Sequence, residues 1–167
     1  MIDAIFARRS IRQFTDRPVP PEVIDAVLRA GMAAPSAGNE QPWHFVVLND
    51  RVLLDQVPTF HPNAKMILQA PAAVLLCADL TVVKHGEMWI QDCAAATQNM
   101  LLAIHDAGLA SVWLGIHPRA ERVKGLIRLC NLPANVTPFS LLPIGYGAEE
   151  KPRNDRYLAD RVHWNQW

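Results

Sequence analysis

The sequence lacks a Cys-x-x-Cys pair, and its three cysteines, Cys77, Cys93 and Cys130, are widely spaced and odd in number. That excludes a zinc ribbon and a thioredoxin-type dithiol. It leaves the cysteines as small buried hydrophobes in a reducing compartment. The six histidines, His44, His61, His85, His105, His117 and His163, form no His-Glu-x-x-His and no tight cluster with acids, so no dedicated metal site is expected. Gly-x-Ser-x-Gly, a Walker loop and Gly-x-Gly-x-x-Gly are all missing, and Gly145-Tyr146-Gly147 closes a strand rather than opening a helix. No apolar run approaches the roughly 20 residues of a membrane span. The N-terminal MIDAIFARRS has no long apolar segment to serve as a signal peptide. A cytoplasmic protein without a membrane partner is the expectation. Charge of one sign is also missing: 16 Lys+Arg balance 16 Asp+Glu. Broad binding to nucleic acid wants a basic excess, so none is expected here.

What is present is a chain of 167 residues, 50% apolar and 19% charged, suited to one domain with a genuine core. IDAIFARR (2–9) suggests a short first helix with Ile2, Ile5 and Phe6 on one side. A second helix is expected from about Pro21 to Met32, with Pro21 at a favourable first position. AAPSAGNEQPW (33–43) is a loop by composition and runs into the strand HFVVLND. NAKMILQAP predicts a short helix, and AAVLLCAD a central, fully apolar strand. Between Lys84 and Gly108 polar pairs recur seven residues apart, at Lys84/His85, Gln91/Asp92, Gln98/Asn99 and His105/Asp106. One narrow polar stripe on an apolar helix implies burial on most sides, part of it by a partner subunit. A strand from Val112 to Ile116, a helix from Pro118 and a last strand over FSLLPIGYG (139–147) follow. Pro143 places that last strand near a sheet edge. The alternation suggests a sheet flanked by helices in one domain.

Three features bear on chemistry. Arg8, Arg9, Ser10 and Arg12 fall within five positions, and Lys151 and Arg153, then Arg156, follow the last strand. Arginine's planar fork suits a phosphate, and a serine hydroxyl adds a short hydrogen bond. Solvated surface charge explains the same residues taken alone. PSAGNEQPW brings backbone groups and the Asn39 and Gln41 amides to a ring edge, or is an ordinary connection. Trp113-Leu114-Gly115 ends a strand on a glycine where a ligand can approach the backbone, or simply turns. Taken together they describe a ligand with a phosphate at one end and a flat ring at the other, such as a flavin.

RRSIRQF, APSAGNEQPWHF, DCAAATQNMLLAIHDAGLASVWLGI, LPIGYGAEEKPR and VHWNQW occur in this order. Together they closely resemble the FMN-dependent nitroreductase family over nearly the whole chain. The resemblance implies an α+β fold, a central mixed sheet flanked by helices, in an intertwined homodimer. Residues 1–167 would form one FMN-binding domain, with 148–167 as an extension toward the partner subunit. Arg8, Arg9, Ser10 and Arg12 would grip the phosphate and ribityl chain of tightly bound FMN, completed by Lys151 and Arg153. Pro35, Ser36, Ala37, Asn39 and Gln41 would come from the partner to the ring. Leu114 and Gly115 would face the ring near its reactive nitrogen, and Lys65 its pyrimidine edge.

The implied activity is ping-pong reduction of nitroaromatics, quinones or related small electrophiles by NAD(P)H through flavin N5, with no catalytic side chain assigned. Alternatives are a flavin storage or sensor protein with little turnover, and a specialised branch with a non-nitro substrate. The chain is short for the family, leaving little sequence for helices that cover the substrate channel.

Overall fold

The computed structural model describes residues 3–153 and 156–167. Five strands make one sheet: β1 (Trp43–Leu48), β2 (Ala72–Asp79), β5 (Val136–Gly145) and β3 (Ala110–Ser111) lie side by side in that order. The short β4 (Leu114–Gly115) pairs with β5 on the edge that β3 also uses. All of these pairings are antiparallel, and one isolated parallel bridge, Ser10 to Ser111, lies outside the named strands.

Helices cover both faces. On one lie α2 (Pro21–Met32) and α5 (Met88–Asp106), sharing a core with Val74, Leu76 and Ala78 of β2 and Leu142 and Ile144 of β5. On the other, α3 (Arg51–Leu54), α4 (Val57–Phe60), a 3-10 segment Pro62–Leu68 and α6 (Ala120–Leu129) enclose Ala73, Leu75, Cys77 and Leu141. Successive side chains of a strand point to opposite faces, so a strand covered on both sides must be apolar throughout. That is why AAVLLCAD has no alternation. Leu75 has no exposed surface, and Leu75→Ala is expected to cost about 2–5 kcal/mol, measured by denaturant unfolding. Cys77 and Cys93 are buried too, and burial, the largest cause, pushes each thiol up to about 12.

Several expectations are corrected. The last strand is interior rather than near an edge, paired with β2 on one side and with β3 and β4 on the other. In the register shared by β3 and β4, Pro143 falls opposite Val112, between the two short strands. The missing N–H therefore coincides with a break in the ladder, and the expected strand 112–116 is interrupted there. The first helix, α1 (Asp3–Ala7), leaves Ile5 and Phe6 exposed, and Ile2 lies outside the described residues. α5 begins at Met88, after Lys84 and His85, and α6 at Ala120 rather than Pro118. The helix expected in NAKMILQAP is the 3-10 segment, preceded by α3 and α4, which no periodicity announced.

Candidate functional site

After α1 the chain runs along the sheet edge. Ile11 N–H donates to Ser111 O at 3.0 Å, and Phe14 bridges to Gly147. This pins residues 8–14 beside β3 and aligns their side chains with a cavity of about 240 Å³ whose lining includes Arg8, Arg9, His105, Ser111, Glu150 and Lys151. Arg8 Nε, Arg9 Nη1 and the hydroxyl of buried Ser111 are all buried there without a hydrogen-bond partner among the described residues. Burial, with the nearby charges of Arg156 and Arg9, lowers the Arg8 pKa. Cations left unpaired beside one another cost stability, because desolvation without a partner is unfavourable. An anion with several acceptor oxygens would relieve that cost.

Lys151 reaches the same cavity and donates from Nζ to Ser10 O at 2.8 Å, with Glu149 Oε1 3.1 Å away. Ser10 itself contributes its carbonyl and its bridge to Ser111. Arg153 is elsewhere: its Nη1 donates to Asp3 Oδ1 at 2.9 Å and its guanidinium lies over the Phe6 ring.

Further along the same two segments lies a second cavity of about 470 Å³, within the usual range of ligand pockets, roughly 300–1,000 Å³. Arg12, His61, Asn63, Trp113, Leu114, Gly115 and Arg122 line it. A Cβ built on Gly115 would meet no atom within 4 Å, so this strand end presents bare backbone to open space. Arg12 N–H donates to Glu149 Oε1 at 2.6 Å, which anchors its backbone beside the cavity. Lys65 is exposed and is not among the lining residues, although its neighbours Asn63 and Met66 are.

His61 is 1% exposed, and neither ring nitrogen has a hydrogen-bond partner. Burial first, and then the charge of Arg122, hold its pKa below the ordinary imidazole value of 6.5. The unfolded chain would therefore take up a proton that the folded one resists. Stability is present above that ordinary value and is lost as the pH falls below it. His61→Gln is expected to flatten this acid limb in a series of thermal melts from neutral pH down to about 5.

The loop 35–41 is tightly built but lines neither cavity. Gly38, Asn39 and Gln41 have positive φ. Gln41 N–H donates to Ser36 Oγ at 3.0 Å, Gln41 Nε2 to Asn39 Oδ1 at 2.9 Å, and Ala37 N–H to Asp92 Oδ1 at 3.0 Å. A side chain at Gly38 would be strained by φ +55 and would press on the His85 ring. Pro35, Ser36, Ala37, Asn39 and Gln41 are thus fixed in shape but not brought to Arg8 or Gly115 within one chain.

A family model described as the nitroreductase family matches residues 5–66 and 59–146. The chain belongs to the nitroreductase family. It is 45% identical over 167 residues to a Methanothermobacter thermautotrophicus protein provisionally named an NADH dehydrogenase/NAD(P)H nitroreductase, a match covering 100% of this chain and 87% of that one. An FMN-dependent nitroreductase of Clostridium difficile R20291 superposes with a TM-score of 0.92 at 27% identity, over 100% of both chains. A provisional nitroreductase of Desulfovibrio desulfuricans, solved in complex with FMN, gives 0.85 at 30% identity, over 99% of this chain and 96% of that one. The short length is therefore shared with other nitroreductase-fold proteins.

Several polar residues that line the two cavities escaped the sequence reading, among them Ser111, His61, Asn63 and Arg122. Ser111 and Arg122 sit in an apolar strand and on the polar side of an amphipathic helix, where their types look ordinary. Only the pairing of residues 8–14 with β3, and of β4 with β5, brings them to the cavities.

Proposed function

We propose that this nitroreductase-family protein binds FMN and uses NAD(P)H to reduce nitroaromatics, quinones or related electrophilic small molecules, working as a homodimer. The observation that carries the reading is the pair of consecutive cavities, one with orphaned buried arginine and serine donors, the other with bare Gly115 backbone. The first fits a phosphomonoester and the second a flat ring.

In this reading Arg8, Arg9, Ser111 and Lys151 hold the phosphate. Arg12 lies between the phosphate end and the ring end, and Leu114 and Gly115 let the ring approach the strand. Bound FMN would supply the redox chemistry, taking hydride at N5 from NAD(P)H and giving it to the acceptor in separate half-reactions. The protein positions the ring, and Arg12 and Arg122 add positive potential where a reduced ligand gains negative charge. Pro35, Ser36, Ala37, Asn39 and Gln41 belong, in this proposal, to the site of the other subunit, because their loop is held by its own hydrogen bonds yet lines neither cavity of its own chain. Exposed Ile5, Phe6 and Met88, with Trp164 and Trp167 in the tail, supply apolar surface for that partner.

Light scattering of the purified protein is expected to give twice the chain mass. Steady-state assays are expected to show NADH or NADPH oxidation that requires both FMN and a quinone or nitroaromatic. Flavin retention with no turnover on any such acceptor would favour a storage or sensing role.

A further inference from the structure

β4 contains only two residues and ends on Gly115, the residue type least able to hold its own backbone direction. A side chain from another element holds it: Arg122 of α6 donates from Nη1 to Gly115 O at 2.7 Å. The guanidinium makes no ion pair among the described residues. The lining of this cavity contains two arginines, an imidazole and an amide side chain, and no carboxylate. His61, beside it in the same lining, keeps both ring nitrogens unshared although it is 1% exposed.

Resting on the flavin reading above, we infer that Arg122 is a positioning residue that fixes the Gly115 strand end and sets the redox poise of the ring bound against it. Arg122 acts twice. It pins the peptide that follows Gly115, and its permanent charge, uncompensated by any acid in the lining, favours a ligand that becomes more negative on reduction. His61 lines the same corner, close enough to Arg122 for the guanidinium charge to act on its ring.

The test is the two-electron midpoint potential of the holoprotein, obtained by dye-coupled equilibration, for wild type, Arg122→Gln, Arg122→Lys, Arg122→Met and His61→Gln. Arg122→Gln is expected to stay yellow and to lower the reduced-over-oxidised affinity ratio for FMN at least tenfold, a fall of about 30 mV. Arg122→Lys, which keeps the charge, should restore most of that ratio, whereas Arg122→Met should not. His61→Gln, retaining a donor and an acceptor, should change it less than threefold. An unchanged potential in Arg122→Gln would overturn the inference. If that variant does not fold, equal potentials in the Lys and Met variants would overturn it instead. A wild-type protein that releases no FMN on denaturation would remove the flavin reading itself, whereas a yellow wild type with indifferent Arg122 variants would remove only this inference.

Discussion

Gly115→Phe is expected to fold normally and to be isolated without flavin. A Cβ at this position meets nothing within 4 Å, so the protein has room for the new side chain. Glycine weakens a strand interior, and replacing it removes that weakness rather than adding strain. The phenyl group would instead occupy the cavity lined by Trp113, Leu114 and Arg122, in the volume assigned to the ring. Far-UV circular dichroism and thermal unfolding should match wild type, while the visible flavin absorbance of the purified protein should vanish. A fully yellow Gly115→Phe protein would mean that the ring lies elsewhere.

Arg8→Ala should weaken FMN binding roughly 10- to 150-fold, the equivalent of about 1.5–3 kcal/mol for one charge-assisted phosphate contact. Its Nε is buried without a partner, and Arg9 and Arg156 add like charge, so removing it relieves repulsion in the flavin-free protein. The apoprotein should therefore be no less stable than wild type, an unusual outcome for a half-buried residue. Arg153→Ala provides the contrast. Its guanidinium is committed to Asp3 and Phe6 near the surface, where such pairs contribute about 1 kcal/mol or less, and flavin affinity should barely change. Fluorescence titration of the apoproteins with FMN measures both. Equal losses in the two variants would return Arg153 to the phosphate site.

The contrast between Arg8 and Arg153 also shows what was legible in the sequence. RRSIRQF taken alone reads equally well as solvated surface charge, and only the family resemblance gives it a phosphate role. In the structure Ile11 and Phe14 tie the segment to the sheet edge beside a cavity. Arg153 carries the same chemistry but lies in a charged tail, and only the folded position of Asp3 decides where it points. β2 was legible because burial on both faces leaves a continuous apolar signature. β5 was misplaced because Pro143 signals an edge unless a break in the neighbouring strand absorbs its missing donor, and strand breaks leave no mark in composition. Arg122 and His61 were invisible for a related reason: their significance arises from contacts between distant segments, namely α6, the end of α4 and β4.

The most direct measurement is the visible spectrum of the purified protein under anaerobic conditions before and after addition of NADH or NADPH. The expected result is a flavin spectrum, due to FMN in equal number with the chains, that bleaches rapidly with at least one of the two reductants and returns on adding a quinone or nitroaromatic. A colourless protein that takes up no added FMN, or a flavin spectrum untouched by both reductants, would contradict it.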